Sequence, residues 1–445
     1  MQENIFKAYD IRGIYPRDLN EDLAFQIGRA FAIHTKRNKG ELEVVIGSDM
    51  RVSSPQLKEH FIKGVLSEGL DVVDIGLVPI DAVYFAINKL GFKAGVMVTA
   101  SHNPKEYNGF KMFWQDLEVI RGKDLLAVVK DLPKTEVGQS GSLEERDITS
   151  EYIQHLLSFV EIDRIKPLRV VVDAGNGMAG KIIPLLERSL PIEVVPLFFD
   201  LDGNFPNHPS NPLEPKSREK IAEMVVAEQA DFGIIFDGDT DRLFLYDEKG
   251  NFIRADITLL LLAREFLQEE PGATFVYNVI CSKIVPEKIS EWGGRAVVSK
   301  VGFVNVAEKA REVGAVMGGE LSGHYCFRDN GYGDSGFIAW LKILQLLSHS
   351  PQKLSELIQP FLKYAKGDEV NIKVNDTSEA LEKVKKHFAD GRQSFLDGVT
   401  VEYDNWWVNV RPSNTEPLLR ITVEAENQNL LQQKTEEVLA VIKGE

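Results

Sequence analysis

Four short stretches of this 445-residue chain carry side chains able to do chemistry. Ser101 and His102 lie in "TASHNP", the turn that ends the apolar run Gly95–Val98, and Lys111 follows in the otherwise apolar "GFKMF". A serine hydroxyl is a weak nucleophile until a base or a metal activates it. No G-x-S-x-G elbow surrounds Ser101, so a hydrolase triad has little support. Asp237, Asp239 and Asp241 alternate along "DGDTDR", and in an extended loop their carboxylates face one side. Hard oxygen ligands of this kind suit magnesium, which is commonly held by a few carboxylates and a phosphate oxygen. The spacing also resembles a calcium loop, with Glu248 at the twelfth position, but Arg242 stands where the tight turn requires glycine and the flanks "FGIIF" and "LFLY" read as strands. Three aspartates between two apolar strands repel one another, and a cation relieves that repulsion. A serine beside such a loop points to phosphoryl chemistry.

The other two stretches offer recognition. In "GGELSGH", Glu320, Ser322 and His324 alternate, and a carboxylate, a hydroxyl and an imidazole that converge can read sugar hydroxyls. In "RPSNTEP", Arg411 supplies a planar guanidinium fork, and Ser413, Asn414 and Thr415 supply hydroxyl or amide donors, a density suited to phosphate.

The elements that must position these loops repeat. "LEVVIGSDMRVSSP", "LRVVVDAGNG" and "ATFVYNVICS" each open a unit of strand, helical stretch, second strand and third strand, the third ending in TASHNP, DGDTDR or GGELSGH. Continuous Val, Ile and Phe alternating with helical stretches indicates βαβ units with covered sheets, whose ligands bind outside the carboxyl ends of the strands. The three loops are therefore expected to share one cleft. The reading gives an α/β fold: three related α/β domains with mixed sheets at 1–148, 149–247 and 248–362, and a smaller C-terminal α+β domain at 363–445. In that last domain "GVTVEYDNWWVNV" and "LLRITVEAE" read as two strands flanking "RPSNTEP", and Pro133 to Ser150 reads as a linker.

Composition excludes several classes. A net charge of -16 argues against nonspecific binding to nucleic acid or an anionic membrane. The longest apolar run, Ile257 to Ala263, is far short of the roughly 20 residues of a membrane span. Two cysteines, Cys281 and Cys326, speak against a disulfide framework, and the N-terminus does not read as a signal peptide, so a cytoplasmic enzyme is expected.

One motif points elsewhere. "DAGNGMAG" holds Gly175, Gly177 and Gly180 in G-x-G-x-x-G spacing after a strand, and Asp200 closes the next strand about 20 residues on, as a dinucleotide site requires. An NAD-dependent dehydrogenase stays open as an alternative, as does a phosphosugar-binding module without catalysis.

With its loops assembled, the chain resembles the α-D-phosphohexomutase superfamily along nearly its whole length, through "FKAYDIRG", "TASHNP" with "EYNGFK", "DGDTDR", "GGELSGH" and "RPSNTEP" in that order. The resemblance implies four domains around a central cleft and a phosphoserine enzyme that isomerises mannose or glucose 1-phosphates and 6-phosphates, with a hexose 1,6-bisphosphate as activator and intermediate. It implies Ser101 as the phosphoserine, and Asp237, Asp239 and Asp241 with an oxygen on Ser101 as the Mg2+ ligands. Arg12 and Arg242 match positions that steady the transferring phosphate, Lys111 a candidate proton-transfer residue with His102 nearby, and Tyr9 a further site residue. Glu320, Ser322 and His324 fall in the sugar-reading loop, and Arg411, Ser413, Asn414 and Thr415 in the loop for the distal phosphate. Phe303 departs from the pattern, standing where many relatives carry histidine. Thr240 and "ELSGH" argue against phosphoglucosamine mutase, which stays open. The expected partners are phosphosugars, and the expected state is a monomer or small homo-oligomer.

Overall fold

The computed structural model describes residues 2–40, 43–133, 140–413 and 418–444. It divides into two compact units, Met1–Thr258 with Ser322–Ser355, and Leu259–Leu321 with Glu356–Glu445.

In the first unit, β1 (Ile11–Ile14), β2 (Val44–Ser48), β3 (Val72–Leu77), β4 (Ala94–Val98), β5 (Tyr107–Trp114) and β6 (Leu143–Glu145) make one sheet in the order β1-β5-β4-β2-β3-β6. The central strands β2 and β4 are buried at every position, which is why they read as unbroken apolar runs. Helices Glu21–Lys39 and Ser54–Ser67 cover the sheet, with Ile27, Phe31, Leu57 and Phe61 packed among Val44, Ile46, Val96 and Phe110. These helices cross closely because Gly28 has no side chain: a Cβ there would stand 2.2 Å from the Phe61 carbonyl oxygen. The stretch expected to be a linker contains β6, which pairs parallel with β3. Its polar residues suit an exposed edge, where one side of the strand stays in water.

A second sheet follows, built from β7 (Leu168–Asp173), β8 (Ile192–Leu197), β9 (Phe232–Phe236), β10 (Leu243–Tyr246) and β11 (Phe252–Ile253), in the order β11-β10-β9-β7-β8. In the second unit, β12 (Thr274–Asn278) lies between β13 (Arg295–Ser299) and β14 (Met317–Gly319), all parallel. The repeat read from sequence is thus a repeat of topology. In each case the first strand of the repeat is central, with the second and third strands parallel to it on either side. The loops after first and third strands are therefore neighbours at the same sheet edge, and both carry polar residues. In the first two repeats an antiparallel strand, β5 or β10, extends the sheet beyond the third, giving the mixed pattern expected.

The first unit also holds the hairpin of β15 (Tyr325–Phe327) and β16 (Gly333–Asp334). The C-terminal part is α+β: β17 (Ala365–Lys366), β18 (Val370–Lys373), β19 (Arg392–Ser394), β20 (Val399–Glu402), β21 (Trp406–Pro412) and β22 (Leu418–Ala425) pair antiparallel in the order β17-β22-β21-β20-β19, with β18 also on β22. Helices Thr377–His387 and Gln428–Lys443 bury Val384, Leu431 and Val438 against Val401, Val408 and Ile421. The stretch read as one strand, "GVTVEYDNWWVNV", is the hairpin β20–β21. Asp404 and Asn405 suit a turn, and Tyr403 N–H donates to the Trp406 carbonyl at 2.9 Å to close it.

Candidate active site

Two loops of the first unit meet where β4 and β9 end. Ser101 sits in the left-handed region, φ +49°, and its hydroxyl donates to Asp237 Oδ2 at 2.6 Å. The DGDTDR segment is a turn, with Thr240 at φ +69° and its N–H 3.3 Å from the Asp237 carbonyl, so the extended loop expected from the alternation does not form. The turn still gathers the carboxylates: Asp237, Asp239 and Asp241 each offer an oxygen within 4.8 Å of the others.

All three carboxylates are buried. Lys111 Nζ bridges Asp239 Oδ2 at 2.9 Å and Asp241 Oδ2 at 2.7 Å, which explains a lysine inside an apolar strand. Burial alone would lower the Lys111 pKa, but Asp239 and Asp241 more than offset it and hold the ammonium charged. Burial, then the charges of Asp241 and Asp239, push Asp237 well above the ordinary carboxylate range. Burial also acts to raise Asp241, yet Lys111, His324 and Arg242 together hold it well below that range. Lys111 leaves the Oδ1 atoms of Asp239 and Asp241 without a hydrogen-bond partner. Two orphaned buried carboxylate oxygens, on residues that with Asp237 can each offer an oxygen within 4.8 Å of the others, fit a small divalent cation such as magnesium.

The remaining residues of the first unit surround this centre. His102 Nδ1 lies 3.2 Å from Ser101 Oγ, and burial, then the cations Arg242 and Arg12, keep its pKa far below the usual value, so the ring is neutral. Arg12 spans Asn103 Oδ1 at 2.5 Å and Asp10 Oδ2 at 2.6 Å. Arg242 Nε lies 3.9 Å from Asp237 Oδ2 and donates to His324 Nε2 at 3.3 Å. His324 is 3.5 Å from Asp241 Oδ1 and its Nδ1 is 2.9 Å from Ser322 Oγ. A turn at Leu321 and Ser322 interrupts the expected alternation, and His324 consequently faces the carboxylate loop. Tyr9 lies half-buried in the bend before β1.

In the second unit Glu320 follows β14 and accepts from Asn278 Nδ2 at 3.0 Å and from Gly302 N–H at 2.7 Å. Phe303 opens the helix Phe303–Val313 directly after that glycine, half-buried. Arg411, 5% exposed, donates from Nη2 to Glu369 Oε2 at 2.6 Å, while its Nη1 has no hydrogen-bond partner. Ser413 N–H donates to the Leu418 carbonyl at 2.9 Å; Asn414 and Thr415 lie outside the described residues.

The glycine motif is not a dinucleotide cradle. Amides that would face a pyrophosphate are already engaged: Asn176 N–H on the Phe198 carbonyl, Gly177 on Ala174, Met178 on Gly238 and Gly180 on Gly177. The glycines instead permit close packing, since a Cβ on Gly180 would meet the Phe199 oxygen at 2.0 Å and one on Gly177 the Gly238 oxygen at 2.9 Å. This loop supports the aspartate turn, and the dehydrogenase reading falls with it. What sequence reasoning missed lies in "SDMRVSS", at the end of β2, the neighbour of β4. There Asp49 Oδ2 accepts from Thr99 Oγ1 at 2.7 Å, and the Thr99 hydroxyl accepts from Ser101 N–H at 2.8 Å. The available signal was position: a charged D-x-R directly after a fully buried strand.

Comparison with known proteins supplies the class and then the family. Successive parts of the chain match phosphoglucomutase/phosphomannomutase alpha/beta/alpha domain I at residues 3–134, domain II at 150–250, domain III at 254–364 and the C-terminal domain at 369–441. A protein of Xanthomonas campestris named for phosphohexose mutases is 40% identical over 99% of both chains. A phosphomannomutase of Vibrio cholerae is 39% identical over 98% of both. The solved structure of a phosphoglucomutase/phosphomannomutase family protein from Burkholderia thailandensis shares 34% identity with a TM-score of 0.90, covering 100% of this chain and 98% of that one. The fold and the relatives define an α/β phosphohexose mutase, an isomerase. The chain belongs to the phosphoglucomutase/phosphomannomutase family. No helix among the described residues is long and apolar enough to cross a membrane.

Proposed function

We propose that the chain interconverts hexose 1-phosphates and hexose 6-phosphates of mannose and glucose, with Ser101 carrying the phosphoryl group and a hexose 1,6-bisphosphate formed between the two transfers. The observation that carries the reading is the 2.6 Å bond from Ser101 Oγ to Asp237, which joins a hydroxyl to the acidic turn. Asp237, Asp239 and Asp241, with an oxygen on Ser101, would hold magnesium. When bound, that ion neutralises charge on the transferring phosphoryl group.

The residues have distinct tasks. In the first transfer a sugar hydroxyl oxygen attacks the phosphorus on Ser101 as the P–Oγ bond breaks, and the proton the sugar loses is balanced by the one Oγ gains. In the second, Oγ attacks the other phosphate of the bisphosphate as that phosphorus parts from its sugar oxygen, which takes up a proton as Oγ gives one up. His102, neutral and beside Oγ, relays the serine proton onward as Ser101 attacks and relays one back as Ser101 leaves, without keeping it between the two transfers. Arg12 and Arg242 hold the phosphoryl oxygens, while Lys111, charged and bound to two carboxylates, keeps those carboxylates aligned. Glu320, Ser322 and His324 read the sugar, and Arg411 with Ser413, Asn414 and Thr415 takes the phosphate that is not reacting. Such reactions need a barrier reduction on the order of 20 kcal/mol or more, which only positioning and charge neutralisation together supply. The domain bounds read from sequence give each loop its own domain.

The test is a coupled assay with the 1-phosphates of glucose, mannose, glucosamine and N-acetylglucosamine, primed by a bisphosphate. Turnover of glucose and mannose phosphates is expected. A preference for glucosamine 1-phosphate would move the enzyme to the alternative assignment, and no turnover of any of the four would overturn the reading.

A further inference from the structure

The nucleophile's loop converges on one buried guanidinium. Arg51, 1% exposed, donates from Nη2 to the carbonyls of Ser101 at 2.6 Å and Asn103 at 2.7 Å, and from Nη1 to those of Pro104 and Tyr107 at 2.9 Å each. Its Nε stands 3.3 Å from Asp49 Oδ2. Asp49 is itself held by Ser54 Oγ at 2.7 Å and by Thr99 Oγ1 at 2.7 Å. A second donor, Ser210 Oγ, reaches the Ser101 carbonyl at 3.2 Å from the loop after Pro209, and the ring of Phe205 lies 5.1 Å from the guanidinium carbon.

Ser101 needs this hold. A non-glycine residue at φ +49° is disfavoured by its own Cβ and persists only where its surroundings over-determine it. Four carbonyls along residues 101–107 turned toward one cation would otherwise face one another's negative ends. The planar fork of arginine satisfies all four at once, whereas an ammonium offers three donors from a single point. With the carbonyl fixed from behind and the amide fixed by Thr99, the remaining freedom of Ser101 is its side chain, which is aimed at Asp237.

We infer that Arg51, assisted by Ser210, is the positioning residue for the phosphoryl-carrying serine: it acts through the Ser101 backbone, touches no substrate, and sets the line along which Oγ and the phosphoryl group meet. The inference rests on the reading of Ser101 as that carrier. Misplacing a reacting group by about 1 Å costs on the order of 100-fold in rate without any loss of binding contacts.

The test compares the full-length enzyme with R51K and S210A. R51K should lower kcat about 100-fold with KM nearly unchanged, because charge alone does not restore the fork. S210A, which loses one neutral hydrogen bond, should lower kcat about 2- to 10-fold, again at constant KM. Intact mass of the wild type reports on the carrier separately: no phosphate adduct on Ser101 would sink the carrier reading whatever Arg51 does. An adduct in the wild type together with wild-type kcat in R51K overturns the role of Arg51 alone, as does a loss confined to KM. Should R51K fail to fold, S210A decides: a kcat loss at constant KM supports the backbone hold, and unchanged kinetics rejects it.

Discussion

Ser101 and Asp237, 136 residues apart in sequence, are joined by a 2.6 Å hydrogen bond from the serine hydroxyl to the carboxylate. Each residue lies in the loop that follows a parallel strand, β4 or β9, the third strand of two like-built repeats. A hydroxyl so held has its oxygen against the charge that phosphoryl chemistry must manage.

Replacing Ser101 by alanine is expected to abolish turnover, since Ser101 carries the hydroxyl that donates to Asp237, whereas the Thr99 hydroxyl, 3.2 Å from Asp239 Oδ2, is engaged with Asp49 and the Ser101 amide. Intact-mass measurement should find a phosphate adduct on part of the wild-type protein and none on the variant. A Ser101→Ala enzyme with unchanged turnover would refute the mechanism.

Asp239→Asn should reduce turnover by about 100-fold or more and weaken the dependence on magnesium, because one charged oxygen donor is lost from the centre. Thermal stability should fall less, because the charge lost opposite Lys111 is offset by relief of repulsion among three buried carboxylates and Lys111 keeps Asp241. Titrating activity against magnesium in both proteins checks this, and activity that survives exhaustive chelation would mean the aspartate turn has another purpose.

His208 gives a pH-dependent contribution to stability. Burial alone would lower its pKa, but the hydrogen bond and charge of Asp173, 3.1 Å away, raise it overall. A base whose folded pKa is raised adds stability that is full below its unfolded pKa, about 6.5, and is lost as pH rises through the folded value. The stability gap between wild type and His208→Asn, measured by urea unfolding, should therefore be widest near pH 6 and narrow toward pH 9. A gap that widens with rising pH would show that the pair is not an ion pair.

Glucose and mannose phosphates should be used with comparable efficiency. They differ only at C2, whereas a sugar that must bind in two orientations can keep O3 and O4 in exchanged but equivalent places. A hydrogen bond dedicated to O2 helps in one orientation only. Sites without a dedicated polar reader discriminate by roughly 10- to 200-fold. Phe303, at the mouth of its helix, adds no polar group, so specificity constants for the two 1-phosphates that differ by more than about a thousandfold would mean another residue reads C2.

Much of this was legible in the chain itself. The side chains able to do chemistry are local facts, and buried parallel strands announce themselves as unbroken Val, Ile and Phe runs, so the pattern by itself sets TASHNP and DGDTDR at equivalent strand ends. Local pattern failed where the deciding contact was distant. Alternation carried straight through Tyr403 to Asn405 hid a hairpin, and the spacing of Gly175, Gly177 and Gly180 matched a nucleotide loop although their amides are taken by protein carbonyls.

Sequence alone determined which groups are available and at which edge of which repeat they emerge, because periodicity and strand burial are set within a few residues. Tertiary structure decided what each group faces. Arg51 gathers carbonyls from a loop some 50 residues away, Lys111 meets aspartates about 130 residues away, and His324 turns to the carboxylates of another repeat. Those pairings depend on strand order and on how the loops of different repeats pack, and buried polar groups find partners only once that packing has removed water from around them.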